Sequence, residues 1–128
     1  MGYDLRITRA QEFYSTNLHL GIPEAEWLAV VDSDPELGLA TSIDPHYFPG
    51  MVLWTTRHFD RYGVPWLAWA AGCVYTKNPN GPIIEKMIEL AEKLTARVLG
   101  EAGEQYLPGG RVVGLERTLF EDADWRKR

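Results

Sequence analysis

Apolar and polar residues alternate at the start of the chain. Tyr3, Leu5 and Ile7 interleave with Asp4, Arg6 and Thr8, the period-of-two pattern of a half-buried strand at or near a sheet edge. Gln11–Gly21 has no clean period, and Phe13 and Tyr14 are expected to pack beneath a loop. A helix is expected to follow Pro23, since proline suits the first turn, where a missing amide proton goes unnoticed. Glu24 and Glu26 favour the positive end of that helix. Trp27, Leu28, Val30 and Val31 supply its apolar stripe, and Pro35 ends it around Asp32–Asp34.

Glu36–Ala40 reads as a short strand or an extended link, and Thr41–Gly50, with two prolines, reads as a loop. Met51–Thr56 and Pro65–Ala70 read as strands. The second turns at Ala71-Gly72 into Cys73–Thr76, a hairpin. Asn78-Pro79-Asn80-Gly81-Pro82 is the strongest break in the chain. Behind it Ile83, Ile84, Met87, Ile88, Ala91, Leu94 and Val98 recur at helical spacing, with Asn80 as N-cap. Glu85, Lys86, Glu89, Glu92 and Lys93 are expected on the opposite, solvent side. This helix is expected to end near Thr95–Val98, where Arg97-Val98-Leu99 is itself a candidate strand. Gly100 and Gly103 bracket a turn, Glu104–Tyr106 returns beside it, and Arg111–Leu119 is strand-like. The tail, Glu121–Arg128, is expected to fray.

Three to six short strands and two helices define an α+β fold, a small, mainly antiparallel sheet packed against two helices. The 128 residues suit a single domain spanning 1–128, with 107–128 as a C-terminal extension.

Charge changes this picture. Residues 1–60 carry nine acids and three bases, a net of -6, whereas residues 61–128 carry nine acids and ten bases. Six of the acids fall between Glu24 and Asp44 with no Lys or Arg among them. An acidic face steers basic partners and disfavours nucleic acid and anionic membrane. One cysteine, Cys73, excludes an intrachain disulfide. No basic-then-apolar leader opens the chain, so a cytoplasmic setting is expected.

The chemistry-bearing residues form no self-sufficient catalytic motif. His19, His46 and His58 lack the i,i+4 spacing of a helix-borne metal site, so no metal or cofactor is expected. Cys73 reads as a small buried thiol in a strand. Asp32 and Asp34 read as solvated acids at a helix end. Gly-Glu-Ala-Gly at 100–103 follows a helix, the wrong context for a phosphate cradle. Aromatics are the surplus. Tyr47, Phe48, Phe59 and Tyr62 fall in expected loops beside acids, as in protein-binding sites.

Several blocks resemble a set of small bacterial proteins. They are Tyr3-Asp4-Leu5-Arg6-Ile7-Thr8-Arg9-Ala10, Glu26-Trp27-Leu28, Ser33-Asp34-Pro35-Glu36-Leu37, Trp66-Leu67-Ala68-Trp69 and Lys77-Asn78-Pro79-Asn80. Lys86-Met87 through Ala91, Ala96-Arg97-Val98 and Gly103-Glu104 continue the pattern. These small acidic proteins in turn look like immunity proteins of toxin–immunity systems, which bind and block a cognate toxin. The chain departs from the pattern at Ala68 and Asn80, where an acidic residue is usual, and beyond Tyr106.

The resemblance and the acidic segment imply a binding protein that occludes the active site of a basic toxin or effector domain. Its expected partner-binding residues are Asp32, Asp34, Glu36, Asp44, Tyr47, Phe48 and Asp60. Two alternatives stand beside it: a small hydrolase using Asp60, His58 and Cys73 or a metal, and a structural homodimer formed through residues 107–128.

Overall fold

The computed structural model describes residues 3–13, 21–55, 65–114 and 125–127. Within them the chain runs β1 (Asp4–Thr8), α1 (Glu24–Ser33), β2 (Leu37–Leu39), α2 (Ala40–Ile43), β3 (Met51–Trp54) and β4 (Trp66–Ala70). It continues through β5 (Cys73–Lys77), α3 (Gly81–Lys93), β6 (Arg97–Gly100), β7 (Gln105–Tyr106) and β8 (Val112–Val113). Short 3-10 turns lie at Pro108–Gly110 and Trp125–Lys127. The strands form one antiparallel sheet in the order β2-β3-β4-β5-β1-β6-β7-β8. The α+β class is the one expected, but eight strands exceed the three to six read from the sequence. The count rises because segments read only as candidates are all strands: β2 lies within Glu36–Ala40, β7 within Glu104–Tyr106 and β8 within Arg111–Leu119.

β1 is not near an edge. It pairs with β5 on one side and β6 on the other, so that Leu5 lies opposite both Thr76 and Gly100. Its alternation reflects two unlike sheet faces, not an open edge. The register sends Leu5, Ile7, Val52, Leu67, Val74 and Val98 to one face, where α1 adds Trp27 and Val31 and α3 adds Ile84, Met87 and Leu90. On the other face Met51 and Leu53 pack with Ala40 of α2, and Tyr47 and Trp66 close over them. Every residue of β3 is therefore buried.

Local chemistry sets the element ends. The Asn80 side chain accepts a hydrogen bond from the Ile83 amide at 3.1 Å, capping α3 as expected. The helix stops at Lys93, before the expected end, and Val98 belongs to β6. The Leu94 carbonyl oxygen accepts from Arg9 Nε at 3.0 Å and Nη2 at 2.8 Å, a cation placed at the negative helix end. Pro23 stands just outside α1 as an extended N-cap. Of the expected α1 stripe, Trp27 and Val31 are buried and Leu28 is exposed. Ala40–Ile43 forms a helical turn where a loop was expected.

The β4–β5 hairpin closes through Ala71 and Gly72, both with positive φ (50° and 85°), as a two-residue loop requires. A Cβ on Gly72 would fall 2.8 Å from the Gly21 Cα. That close approach lets the Ile22 amide donate to the Gly72 carbonyl at 2.8 Å. The tail does not fray at Trp125. Its indole is buried and donates to the Leu107 carbonyl at 2.7 Å. No helix among the described residues is long and apolar enough to cross a membrane.

Candidate functional site

The end of α1, the start of β2 and the second turn of α3 meet around one amine. Asp34 caps the C-terminus of α1, held there because Pro35 cannot continue the helix. Its Oδ1 accepts from the Glu36 amide at 2.9 Å, which turns the chain into β2. Lys86 reaches from α3 into this corner. Its Nζ lies 2.8 Å from Asp34 Oδ2, 2.6 Å from Glu36 Oε1 and 3.0 Å from Glu89 Oε2. The three N–H donors of an ammonium thus meet three carboxylates. The Lys86 and Asp34 side chains are 3% and 4% exposed, while Glu36 and Glu89 are about half exposed. The Trp54 ring centroid stands 6.0 Å from Nζ, at the outer reach of a cation–π contact.

Burial pushes the Asp34 carboxyl upward, but the hydrogen bond and charge of Lys86 and the Glu36 amide outweigh it and hold Asp34 below its ordinary value. Lys86 hydrogen-bonds to Glu36 and holds it low by charge as well. Burial would lower Lys86, yet its bonds to Asp34, Glu36 and Glu89 raise it well above an ordinary lysine. The amine is therefore a fixed cation, unsuited to act as a nucleophile or base. Three carboxylates against one ammonium leave the cluster with excess negative charge.

Beside the cluster lies a cavity of about 440 Å³ lined by Glu36, Trp54, Pro82, Glu85, Lys86 and Glu89. Three of its walls are carboxylates and one is an indole. Ligand oxygens of Asp34, Glu36 and Glu89 also lie within 4.8 Å of one another, close enough to hold a metal ion. Lys86 already engages all three, so a metal would have to displace the ammonium.

The residues expected to bind a partner are only partly brought together. Asp34 and Glu36 join the Lys86 cluster. Asp34 is not the solvated acid expected at a helix end; its burial follows from the ammonium that neutralises it. Asp32 is exposed on α1. Asp44 is exposed in a turn, where its Oδ1 accepts from the His46 amide and lies near His46 Nδ1, both at 2.9 Å. The His46 amide and ring hold its carboxyl below the usual range. Tyr47 is half-buried against Met51 and Leu53, and Phe48 is exposed. Asp60 lies outside the described residues, as do His19 and His58. Cys73 is half-buried at the start of β5, not the buried thiol expected. Lys86 is buried where a solvent-facing position was expected, and Trp54, Glu85 and Glu89 were not read as site residues. One signal pointed to Lys86: it falls three residues after Ile83 and four before Leu90, in the buried row of α3.

A second buried carboxylate closes the other half of the sheet. Glu104 accepts from the hydroxyls of Tyr3 and Tyr106 and from the Ala102 amide, the last at 3.1 Å. It ties β7 to the start of β1.

Compared with protein-family models, with curated proteins and with solved structures, the chain gives no match in any of the three.

Proposed function

We propose that the protein is a binding protein of the immunity type, which neutralises a basic toxin or effector domain by covering its active cleft. One observation carries the reading. Asp34, Glu36 and Glu89 converge on Lys86 and leave excess negative charge on the wall of a cavity that Trp54 also lines. Such a wall attracts a cationic side chain, and an indole is a favourable face for it. Exposed acids at Glu24, Asp32 and Asp44 extend the same field along the chain. Charges in this arrangement accelerate encounter and select the sign of the partner.

The experiment is affinity capture with the intact protein in cells that produce it, followed by co-expression. A basic protein retained in low salt and released in high salt is the expected result. That protein alone should arrest growth, and co-expression should restore it. A captured partner whose activity persists at saturating amounts of the protein ends the neutralising reading.

A further inference from the structure

The C-terminal turn Trp125–Lys127 is seated in a place shaped for it. Trp125 is 3% exposed and belongs to the main core, and its indole donates to the Leu107 carbonyl at 2.7 Å. The turn packs on α3 and on the Pro108–Gly110 turn. Its approach to α3 is at backbone level. A Cβ on Gly81 would fall 3.0 Å from the Arg126 carbonyl oxygen and 3.1 Å from that of Trp125.

Gly81 is the first residue of α3 and has no positive φ. Alanine is the better helix former in such a conformation. The helix itself therefore gives no reason for glycine here, whereas the two carbonyls do. The sequence weakens the start of α3 and gains a seat for the tail.

That seat adjoins the Lys86 cavity. Pro82, the next residue, lines the cavity. So does Glu85, which follows Gly81 by four positions and shares its side of the helix. The first turn of α3 thus carries the tail beside a wall of the cavity. Asn80 ties the same turn through its bond to the Ile83 amide. A chain end held by one large side chain and a close backbone contact opens more readily than the middle of a sheet. The tail can leave its seat while β1, paired on both sides, stays closed.

We infer that the turn Trp125–Lys127 is a clasp that regulates the cavity. Docked, it holds the first turn of α3, and with it Pro82 and Glu85, in place. Released, by capture of the tail or loss of the last residues, it frees that wall and weakens binding of a cation. This rests on the reading of the cavity as part of a binding site.

The test uses Gly81→Ala in the full chain, which closes the seat and leaves every cavity-lining residue unchanged. A chain ending at residue 124 is its companion, since it removes the tail and keeps the seat. Amide hydrogen exchange is followed by NMR. In Gly81→Ala the Trp125 indole proton should lose its protection. In both variants the amides of Ile84–Lys86 should exchange about tenfold faster, with β1 and β5 unchanged. Slower exchange in Gly81→Ala, the gain that alanine alone brings to a helix, would overturn the inference. So would a rise spread evenly over β1 and β5, which would make the turn an inseparable part of the core.

N-acetyl-argininamide, titrated against the Trp54 indole proton, reads the cavity itself. Binding about tenfold weaker in Gly81→Ala is expected, and equal affinity in both proteins removes the regulatory role. If the probe binds neither protein, the cationic reading of the cavity falls, and the exchange data alone decide whether the clasp holds α3.

Discussion

Asp34 and Lys86 stand 52 positions apart in the chain and meet at 2.8 Å, both side chains closed off from solvent. This contact joins the end of α1 to the middle of α3 across the edge of the core. Lys86→Met leaves a buried carboxylate without its cation. It should lower unfolding free energy by about 3 kcal/mol, since breaking a buried pair strands the remaining charge. Asp34→Leu combined with Lys86→Met should recover most of that loss. Urea titration of both variants checks it; a Lys86→Met loss below about 1 kcal/mol would mean the buried pair is energetically slack.

The same cluster sets a pH profile. Asp34 is lower in the folded state, so its stabilisation is present above the ordinary value of 3.8 and is lost as pH falls through the folded value. Lys86 is higher in the folded state, so its stabilisation is present below the ordinary value of 10.5 and is lost as pH rises through the folded value. Stability from this cluster should therefore be flat across neutral pH and fall at both extremes. Asp34→Leu/Lys86→Met should flatten the acid and alkaline limbs relative to wild type. Melting curves across pH measure both slopes, and unchanged slopes would assign them to other groups.

Glu104 leaves no room for a side chain at Gly100. A Cβ at position 100 would clash with the Glu104 carboxylate, which the Tyr3 and Tyr106 hydroxyls and the Ala102 amide hold in place. Gly100→Ala should cost about 2 kcal/mol by overpacking. Calorimetry reads the loss, and a variant as stable as wild type would show that Glu104 can swing aside.

Removing the α3 cap is a milder perturbation. Asn80→Ala deprives the Ile83 amide of its acceptor and should cost about 1 kcal/mol. Asn80→Asp keeps the acceptor and should restore stability in the same denaturant assay.

What could be read in one dimension was local. The apolar row of α3, its Asn80 cap and the Ala71-Gly72 hairpin depend on residues a few positions apart, and all three stand in the structure. Lys86 was concealed by its neighbours: Glu85 and Glu89 paint that side of α3 as solvent-facing, and the distant Asp34 and Glu36, joined by Glu89, make burial of an amine tolerable. Asp34 was concealed for the same reason in reverse. The place of β1 was illegible because alternation reports that two faces differ and says nothing about which strands lie alongside. Leu28 follows helical spacing yet is exposed, since α1 buries only a narrow row through Trp27 and Val31.

The central position of β1 has a consequence for how the chain reaches this state. Once synthesised, β1 must wait for Val74–Lys77 on one flank and Arg97–Gly100 on the other. Such distant pairings raise contact order and place folding roughly in the millisecond-to-second range. A nascent chain that ends before Arg97 exposes one whole edge of β1. Until β6 emerges, the segment that will lie in the middle of the sheet is an open template for mispairing.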